Sequence, residues 1–167
     1  MGILPMRWYW IMRAKVAILG KLYTRYKAPF DNDEWDIWSV NKRPGESALP
    51  RCDLWFDLHF TPFTQDQDIF RNNFPFKEID EMLGGHYFNN TISYVIAYAV
   101  YKGYKEIALY GMNFCTEAEQ LIKQYENVRE LIFFAKGRGI KITAPYDKVM
   151  VQEYPEYTQE YVANKPK

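Results

Sequence analysis

Residues 89–113 read NNTISYVIAYAVYKGYKEIALYGMN, and they carry the strongest indication of how the chain folds. Asn90 and Thr91 are typical of a helix cap, and apolar residues then recur at helical spacing through 92–100. A glycine ends the helix, and the apolar run 107–110 predicts a buried strand that closes on a second glycine. A helix start favours phosphate or carboxylate because its N–H groups are unpaired. A capped helix without a ligand is the open alternative.

The composition indicates one folded domain without a strong charge preference. The chain has 167 residues, 48% of them hydrophobic, and a formal net charge of zero. A neutral chain is not typical of a general nucleic-acid binder or of a membrane-surface protein. Aromatic residues reach 18%, and three uses of these rings stay open: core filling, stacking on a base or sugar, and the interface of a homo-oligomer.

Neither cysteine pattern nor hydropathy points to a cofactor, a metal or a membrane. Cys52 and Cys115 have no metal-ligand spacing, so we expect two free thiols, no metal and no cofactor. No apolar run reaches the ~20 residues that span a bilayer. The stretch 1–14 is interrupted by proline and arginine and is interpreted as an N-terminal extension, not a signal peptide. The predicted location is the cytoplasm.

Short apolar runs alternate with helical patterns along the rest of the chain. A short helix is expected at 77–83 inside an irregular connection, and a long one at 116–136. This alternation predicts an α/β fold, a Rossmann-like three-layer sandwich with a mostly parallel sheet of about five strands over residues 15–145. Residues 146–167 are predicted to be a tail that packs on the domain. The predicted strands are 15–20, 36–41, 53–59, 106–113 and 140–144.

Polar and glycine residues end several of these strands. In a parallel sheet such ends meet at one edge, where ligands bind near the point at which strand order reverses. We therefore expect a single anion-binding site beside the helix start at Asn90 and Thr91. The strand-end residues are Gly20, Asn41, His59, Gly111 and Asn113.

The motifs KVAILG at 15–20, DIWSVN at 36–41 and GYKEIALYGMNF at 103–114 occur in a recognisable order. On them the chain resembles the bacterial sialyltransferases of the Campylobacter type. It also resembles their relatives, the motility-accessory-factor proteins and the archaeal hydroxymethylpterin diphosphokinase-like proteins. The resemblance is greatest to short, uncharacterised phage-encoded members. It implies a nucleotide or nucleotide-sugar ligand.

The resemblance also implies ligand-binding positions, with one departure from the family pattern. The family's first loop is rich in small residues, whereas here Leu22 and Tyr23 follow Lys21 and would obstruct a close approach to a diphosphate. Lys21 and Arg25 could supply charge in their place. The implied ligand-binding residues are Gly20, Lys21, Asn41, Asn90, Thr91, Gly111 and Asn113, and Glu119 is added because it lies soon after a strand end.

The family's catalytic histidine lies in a later segment that we do not locate in this sequence. The chain has two histidines, and His59, at the end of the third predicted strand, is the candidate general base. His86 precedes the helix of residues 92–100 and is the alternative. A structural role for either ring is the open alternative.

Three functions fit these features. The first is a small glycosyl- or phosphoryl-group transferase. The second is a non-catalytic viral protein that sequesters a nucleotide-like ligand or a host factor. The third is an assembly protein that uses the fold only as a scaffold. The expected partner in the first two is a small molecule, with no nucleic acid and no membrane.

Overall fold

The structure is a computed structural model that describes residues 13–85, 88–112 and 119–146. Predictions on the amino-terminal extension before residue 13, on His86, on Asn113 and on the tail beyond residue 146 lie outside the described residues. The side chain of Glu119 is also outside them, although its backbone begins a helix.

Six strands in the described part of the chain form one sheet in which every neighbouring pair is parallel. Lys15 pairs with Trp35 on one side and with Glu106 on the other, so the first strand is central. The predicted parallel sheet is confirmed. Its five predicted strands are present, and a sixth lies in the connection predicted to be irregular. The strands are β1 (Lys15–Leu19), β2 (Trp35–Val40), β3 (Leu54–Asp57), β4 (Ile69–Phe70), β5 (Glu106–Tyr110) and β6 (Lys141–Thr143).

The strand order β4-β3-β2-β1-β5-β6 reverses at β1. The chain first adds β2, β3 and β4 outward on one side of β1. It then crosses back and places β5 on the other side. In open α/β sheets the crevice at such a reversal, outside the carboxyl ends of the strands, is where ligands bind. This strand order therefore predicts a ligand site at the carboxyl ends of β1 and β5.

Three helices and one 3-10 segment accompany the sheet in the described residues: the 3-10 segment Tyr23–Lys27, α1 (Phe76–Leu83), α2 (Thr91–Tyr101) and α3 (Glu119–Gly137). The short helix predicted at 77–83 is confirmed. α2 is apolar around most of its circumference, which is typical of a helix buried in a core. It packs between the sheet, α1 and α3.

The described helices pack on one face of the sheet. Side chains alternate along each strand, so successive residues belong to opposite faces. Val16 and Ile18 of β1 point to the helix side, whereas Ala17 and Leu19 point to the other. Fully burying an aliphatic side chain contributes about 1.5–3 kcal/mol. The helix-side core includes Val40, Phe56, Ile107, Leu109, Val95, Ile96, Ala99, Val128, Leu131 and Ala135.

The opposite face is covered differently. Within the described residues, Ala28, which follows the 3-10 segment, and the loop residues Phe30 and Leu49 pack on it. Within the described residues this face is therefore covered by irregular chain, and the described helices lie together on the other face.

Many of the aromatic rings fill the core. The ring of Trp38 on β2 lies 5.3 Å from that of Phe56, 5.5 Å from Tyr98 and 5.1 Å from Tyr104, measured between centroids. Tilted and edge-on pairs of this kind stabilise a core beyond their buried area. Core filling thus accounts for a large share of the aromatic content.

Candidate functional site

Several loops and one helix start meet at the carboxyl edge of the sheet. All strands in the described residues are parallel, so these strands end at the same edge, at Leu19, Val40, Asp57 and Tyr110. α2 runs antiparallel to β5 because it leads into that strand. With 11 residues it is about 16 Å long, close to the length of a five-residue strand. Its amino terminus therefore lies at the level of the same edge.

Gly20 and Gly111 bring the tips of β1 and β5 into direct contact. The N–H of Gly20 donates to the carbonyl of Tyr110 at 2.7 Å, and the N–H of Leu22 donates to the carbonyl of Gly111 at 3.0 Å. The N–H of Gly111 donates to Oγ1 of Thr24 at 3.0 Å. These three backbone donors bond inside the protein, so the first loop does not present them to a ligand as a glycine-rich phosphate loop does.

Two cations of the first loop share the carboxylate of Glu46. Lys21 Nζ lies 2.9 Å from Oε1 and 2.7 Å from Oε2, and Arg25 Nη1 lies 2.6 Å from Oε1. The backbone N–H of Arg43 donates to Oε2 at 3.0 Å. The Arg25 side chain is only 4% exposed, and that of Glu46 is 14% exposed. Lys21, Arg25 and Glu46 are called the cation cluster below.

The indole ring of Trp55 lies against this cation cluster. Its centroid is 5.2 Å from Lys21 Nζ, 6.0 Å from Arg25 Cζ and 5.6 Å from Lys42 Nζ. Each such contact stabilises a cation by about 0.5–2 kcal/mol. Trp55 and Asp57 alternate with Phe56, which belongs to the helix-side core, so both point to the side of the sheet without helices. The cation cluster lies on that side as well.

The charges of the cation cluster influence one another. Burial lowers the pKa of Lys21, and the positive charges of Arg25 and Arg43 add to this against the opposing effect of Glu46. Burial alone would raise the pKa of Glu46. Hydrogen bonds from Lys21, from the Arg43 N–H and from Arg25 outweigh it and hold that pKa below its ordinary value. Glu46 is therefore ionised at neutral pH, and its single negative charge faces the two positive charges of Lys21 and Arg25.

Asp57 and His59 form a hydrogen-bonded pair where β3 ends. His59 Nδ1 lies 2.7 Å from Asp57 Oδ1, which also accepts the His59 backbone N–H at 3.1 Å. Oδ2 of Asp57 accepts the Phe63 N–H and the Gln67 side-chain amide, both at 2.9 Å. The Asp57 side chain is fully buried, while the His59 side chain is 46% exposed. The aspartate thus fixes the ring, and the other face of the pair is open to solvent.

The ionisation of Asp57 follows from these bonds. Burial raises the pKa of Asp57, but hydrogen bonds from Phe63, Gln67 and His59 outweigh this and hold it below its ordinary value. An ionised carboxylate only accepts hydrogen bonds, so Nδ1 of His59 carries the proton. In the neutral ring Nε2 is then the atom with the free lone pair, which is the arrangement of a general base.

Asn41 follows β2 in a left-handed conformation, with φ of 52°. Its N–H donates to the carbonyl of Phe56 at 2.7 Å. Its Oδ1 atom is buried and has no hydrogen-bond partner among the described residues. An unpaired buried acceptor costs about 1–3 kcal/mol, and such atoms commonly bond a water or a ligand. This oxygen is therefore a buried, unpaired acceptor next to the carboxyl edge.

The start of α2 is capped as the sequence predicts. Oδ1 of Asn90 accepts the N–H of Ser93 at 2.8 Å, and Thr91 is the first helical residue. Thr91 is 8% exposed and Ser93 is fully buried. Because α2 packs on the helix side of the sheet, Asn90 and Thr91 flank the carboxyl edge from the side opposite to the cation cluster. The predicted residues therefore lie at the same edge of the sheet but on opposite faces of it.

Two of the groups in this site were not predicted from the sequence. Glu46 follows a Pro44–Gly45 turn, which comes soon after the predicted strand that ends at Asn41. A turn at this place can bring the Glu46 carboxylate back to the strand end, and this was the available signal. Asp57 and His59 are two residues apart at a strand end, a spacing that places both on one face. The role of Asp57 could have been inferred from that spacing.

The described residues contain neither a metal-binding cluster nor a membrane-spanning helix. Among these residues no three histidine, cysteine or acidic side chains come together as a metal site requires. None of the described helices combines the length and apolarity that crossing a bilayer needs.

The fold and edge define an α/β protein with a parallel sheet and a polar carboxyl edge. No protein-family model and no curated protein matches the chain. It is similar to a solved structure described as the sialyltransferase CST-II in complex with a trisaccharide acceptor and CMP. The TM-score is 0.47 and the identity 16%, over 77% of this chain and 79% of that one. At this level the similarity carries neither residue roles nor an activity over to this chain.

Proposed function

We propose that the protein is a glycosyl- or phosphoryl-group transferase that binds a nucleotide or nucleotide sugar along the carboxyl edge, with His59 as the general base. The observation that carries the proposal is the 2.7 Å contact between Asp57 and Nδ1 of His59 at the end of a parallel strand. An oriented, half-exposed imidazole at the ligand-binding edge of such a sheet is suited to proton transfer.

In the proposed step, Nε2 of His59 accepts the proton of an acceptor hydroxyl. The acceptor oxygen forms a bond to the transferred carbon or phosphorus atom. The bond from that atom to the leaving phosphate oxygen breaks, and its electron pair stays on the phosphate. The imidazolium that forms is stabilised by the ionised Asp57.

The placement of the ligand is supported by the spacing of the strands. β3 lies two strands from β1, so their tips are about 10 Å apart. A nucleotide sugar can cover that distance with its phosphate near Lys21 and its reacting group near His59. Asn41, which follows the strand between them, would donate to or accept from a sugar hydroxyl. Gly20 and Gly111 would shape the floor at the β1 end.

The helix start contributes on the other side of the edge. Asn90 and Thr91 are proposed to contact a ligand that crosses the tip of the sheet toward α2. Asn113 and Glu119, which come after β5 in the sequence, remain predicted ligand contacts. Thr91→Val removes the hydroxyl at nearly constant volume. Loss of about tenfold in nucleotide affinity would support contact with the helix start, and unchanged affinity would restrict the ligand to the side of the cation cluster.

The test is a panel of nucleoside mono- and diphosphates and nucleotide sugars, with product formation and thermal stabilisation measured in parallel. His59→Gln should reduce turnover at least about 100-fold while ligand-induced stabilisation persists. The matched control is Lys105→Gln, which changes an exposed residue next to the start of β5 at the opposite edge and should leave turnover unchanged. Equal turnover in His59→Gln and wild type would remove His59 from the reaction.

The same panel decides between this function and sequestration. Thermal stabilisation by a nucleotide without any product would contradict the transferase and support a non-catalytic protein that sequesters the nucleotide. If no nucleotide gives product or thermal stabilisation, the transferase and the sequestering protein are both contradicted. The remaining function is then the assembly protein that uses the fold only as a scaffold.

A further inference from the structure

The cation cluster contains one carboxylate and more positive charge than that carboxylate can satisfy. Glu46 accepts from Lys21 with both oxygens and from Arg25 with one. Nε and Nη2 of Arg25 are buried and have no hydrogen-bond partner among the described residues. A guanidinium offers five donors in a planar fork, and here Nη1 alone bonds the carboxylate. Arg25 is thus a buried cation with donors to spare.

Glu46 is held by a segment that has little other packing. Residues 43–45, 47 and 48 around it are exposed, and Gly45 has a left-handed φ of 70° in a turn closed by the Glu46 N–H donating to the Arg43 carbonyl. The deepest attachment of this segment is the carboxylate itself, which is mostly buried against Lys21 and Arg25. Releasing the carboxylate would therefore disturb few other contacts.

We propose that the Glu46 carboxylate occupies a phosphate-binding position, and that a phosphate group of the ligand replaces it on Lys21 and Arg25. The inference deepens the proposed function, on which it rests for the identity of the ligand, by naming the groups that hold the phosphate. A phosphate presents three oxygens and more negative charge than a carboxylate, so it can also engage the unpaired nitrogens of Arg25. Glu46 then acts as an internal anion that keeps the position filled until the ligand arrives.

The surroundings of the cation cluster fit this exchange. Lys21 and Arg25 carry two positive charges against the single negative charge of Glu46, so positive charge remains in excess with Glu46 in place. The ring of Trp55 lines the position and screens it from water on one side. A phosphate there would also be next to the tips of β1 and β5, where the strand order reverses.

The test uses inorganic pyrophosphate as the probe and isothermal calorimetry at constant ionic strength. Glu46→Gln removes the competing charge and keeps the size of the side chain, so it should bind pyrophosphate roughly tenfold more tightly than wild type. The matched control is Glu34→Gln. Glu34 is an exposed carboxylate that pairs with Lys15 at the start of β1, so this variant makes the same change of net charge at the opposite edge. Its affinity should equal that of wild type.

Lys21→Gln gives a second measurement that does not depend on the behaviour of the Glu46 variant. It should weaken pyrophosphate binding roughly tenfold, because it removes one of the two cations. The inference is overturned if Glu46→Gln binds no tighter than wild type, if Glu34→Gln shows the same gain, or if Lys21→Gln keeps the wild-type affinity. Circular dichroism verifies that each variant is folded.

The outcomes separate this inference from the proposed enzyme. A gain in Glu46→Gln without turnover of any nucleotide supports the phosphate position and contradicts the transferase. Turnover that depends on His59, without a gain in Glu46→Gln, supports the transferase and contradicts the role of Glu46.

Discussion

The carbonyl oxygen of Gly111 occupies the space next to the Cα atom of Gly20, where a Cβ atom would lie only 2.2 Å from that oxygen. The contact joins the tips of β1 and β5 and leaves no room for a side chain between them. Gly111 itself has a left-handed φ of 69°, and a Cβ there would lie 2.9 Å from that of Arg25. The close approach of the two strand tips therefore requires glycine at both positions, whether or not a ligand binds.

Gly20→Ala should destabilise the protein by about 3 kcal/mol or more. The clash is with a backbone oxygen at the tips of the two central strands, and this oxygen cannot rotate away as a flexible side chain can, so the strand tips must separate. The measurement is the free energy of unfolding from urea denaturation. Gly137→Ala is the control, because an added Cβ meets nothing within 4 Å at the end of α3, and it should be neutral or slightly stabilising. A stable Gly20→Ala protein would mean that β1 and β5 do not approach as described.

Asp57→Asn should cost about 1–3 kcal/mol of stability. The buried carboxylate accepts from two backbone N–H groups, from Gln67 and from His59, and an amide would turn its own donor toward some of these donors. Urea denaturation at neutral pH measures the loss.

Asp66→Asn is the matched control for this change. It makes the same substitution on an exposed carboxylate whose described partner is Lys42, so the free energy of unfolding should change by less than about 0.5 kcal/mol. Equal losses of unfolding free energy in the two variants would show that the buried hydrogen bonds of Asp57 stabilise the protein no more than the exposed ion pair of Asp66 does.

Acid should remove the contribution of Asp57. Its pKa in the folded protein lies below the ordinary value of 3.8, since the hydrogen bonds it accepts outweigh the effect of burial. A depressed folded pKa adds stability that is complete above the ordinary value and is lost as the pH falls through the folded value. Between about pH 5 and about pH 2.5, wild type should therefore lose more stability than Asp57→Asn. Parallel losses would show that the folded pKa of Asp57 is not depressed.

The thiol of Cys52 should be unreactive in the folded protein. Burial, with the nearby charges of Asp53 and Asp68, raises its pKa to about 12, so very little thiolate is present at pH 8. Iodoacetamide should modify Cys52 at least about 100-fold more slowly in buffer than in urea, as measured by peptide mass spectrometry. Equal rates in the two conditions would contradict the raised pKa of this partly buried thiol.

The sequence alone specified the elements that depend on near neighbours. The Asn90 cap and the apolar spacing of residues 92–100 predict α2, and the apolar runs that became β1, β2, β3, β5 and β6 were all located. β4 was missed, because two residues carry no periodic signal and Ile69 and Phe70 are a strand only through pairing with Phe56 and Asp57. The alternation of helices and strands was also sufficient to predict the parallel sheet, and with it the edge at which the polar strand ends meet.

Tertiary structure alone decided how the side chains at that edge are paired. Lys21 and Glu46 are 25 residues apart, and they meet because β1 and β2 are adjacent and the loops after them fold to the side without helices. The contact of Gly20 with Gly111 spans a still longer stretch of chain and exists because β5 returns to the other side of β1. The placement of α2 on the opposite side of the sheet from Trp55 likewise depends on the crossover. Local propensity and periodicity act over a few residues, whereas these contacts depend on strand order and on which face each loop covers.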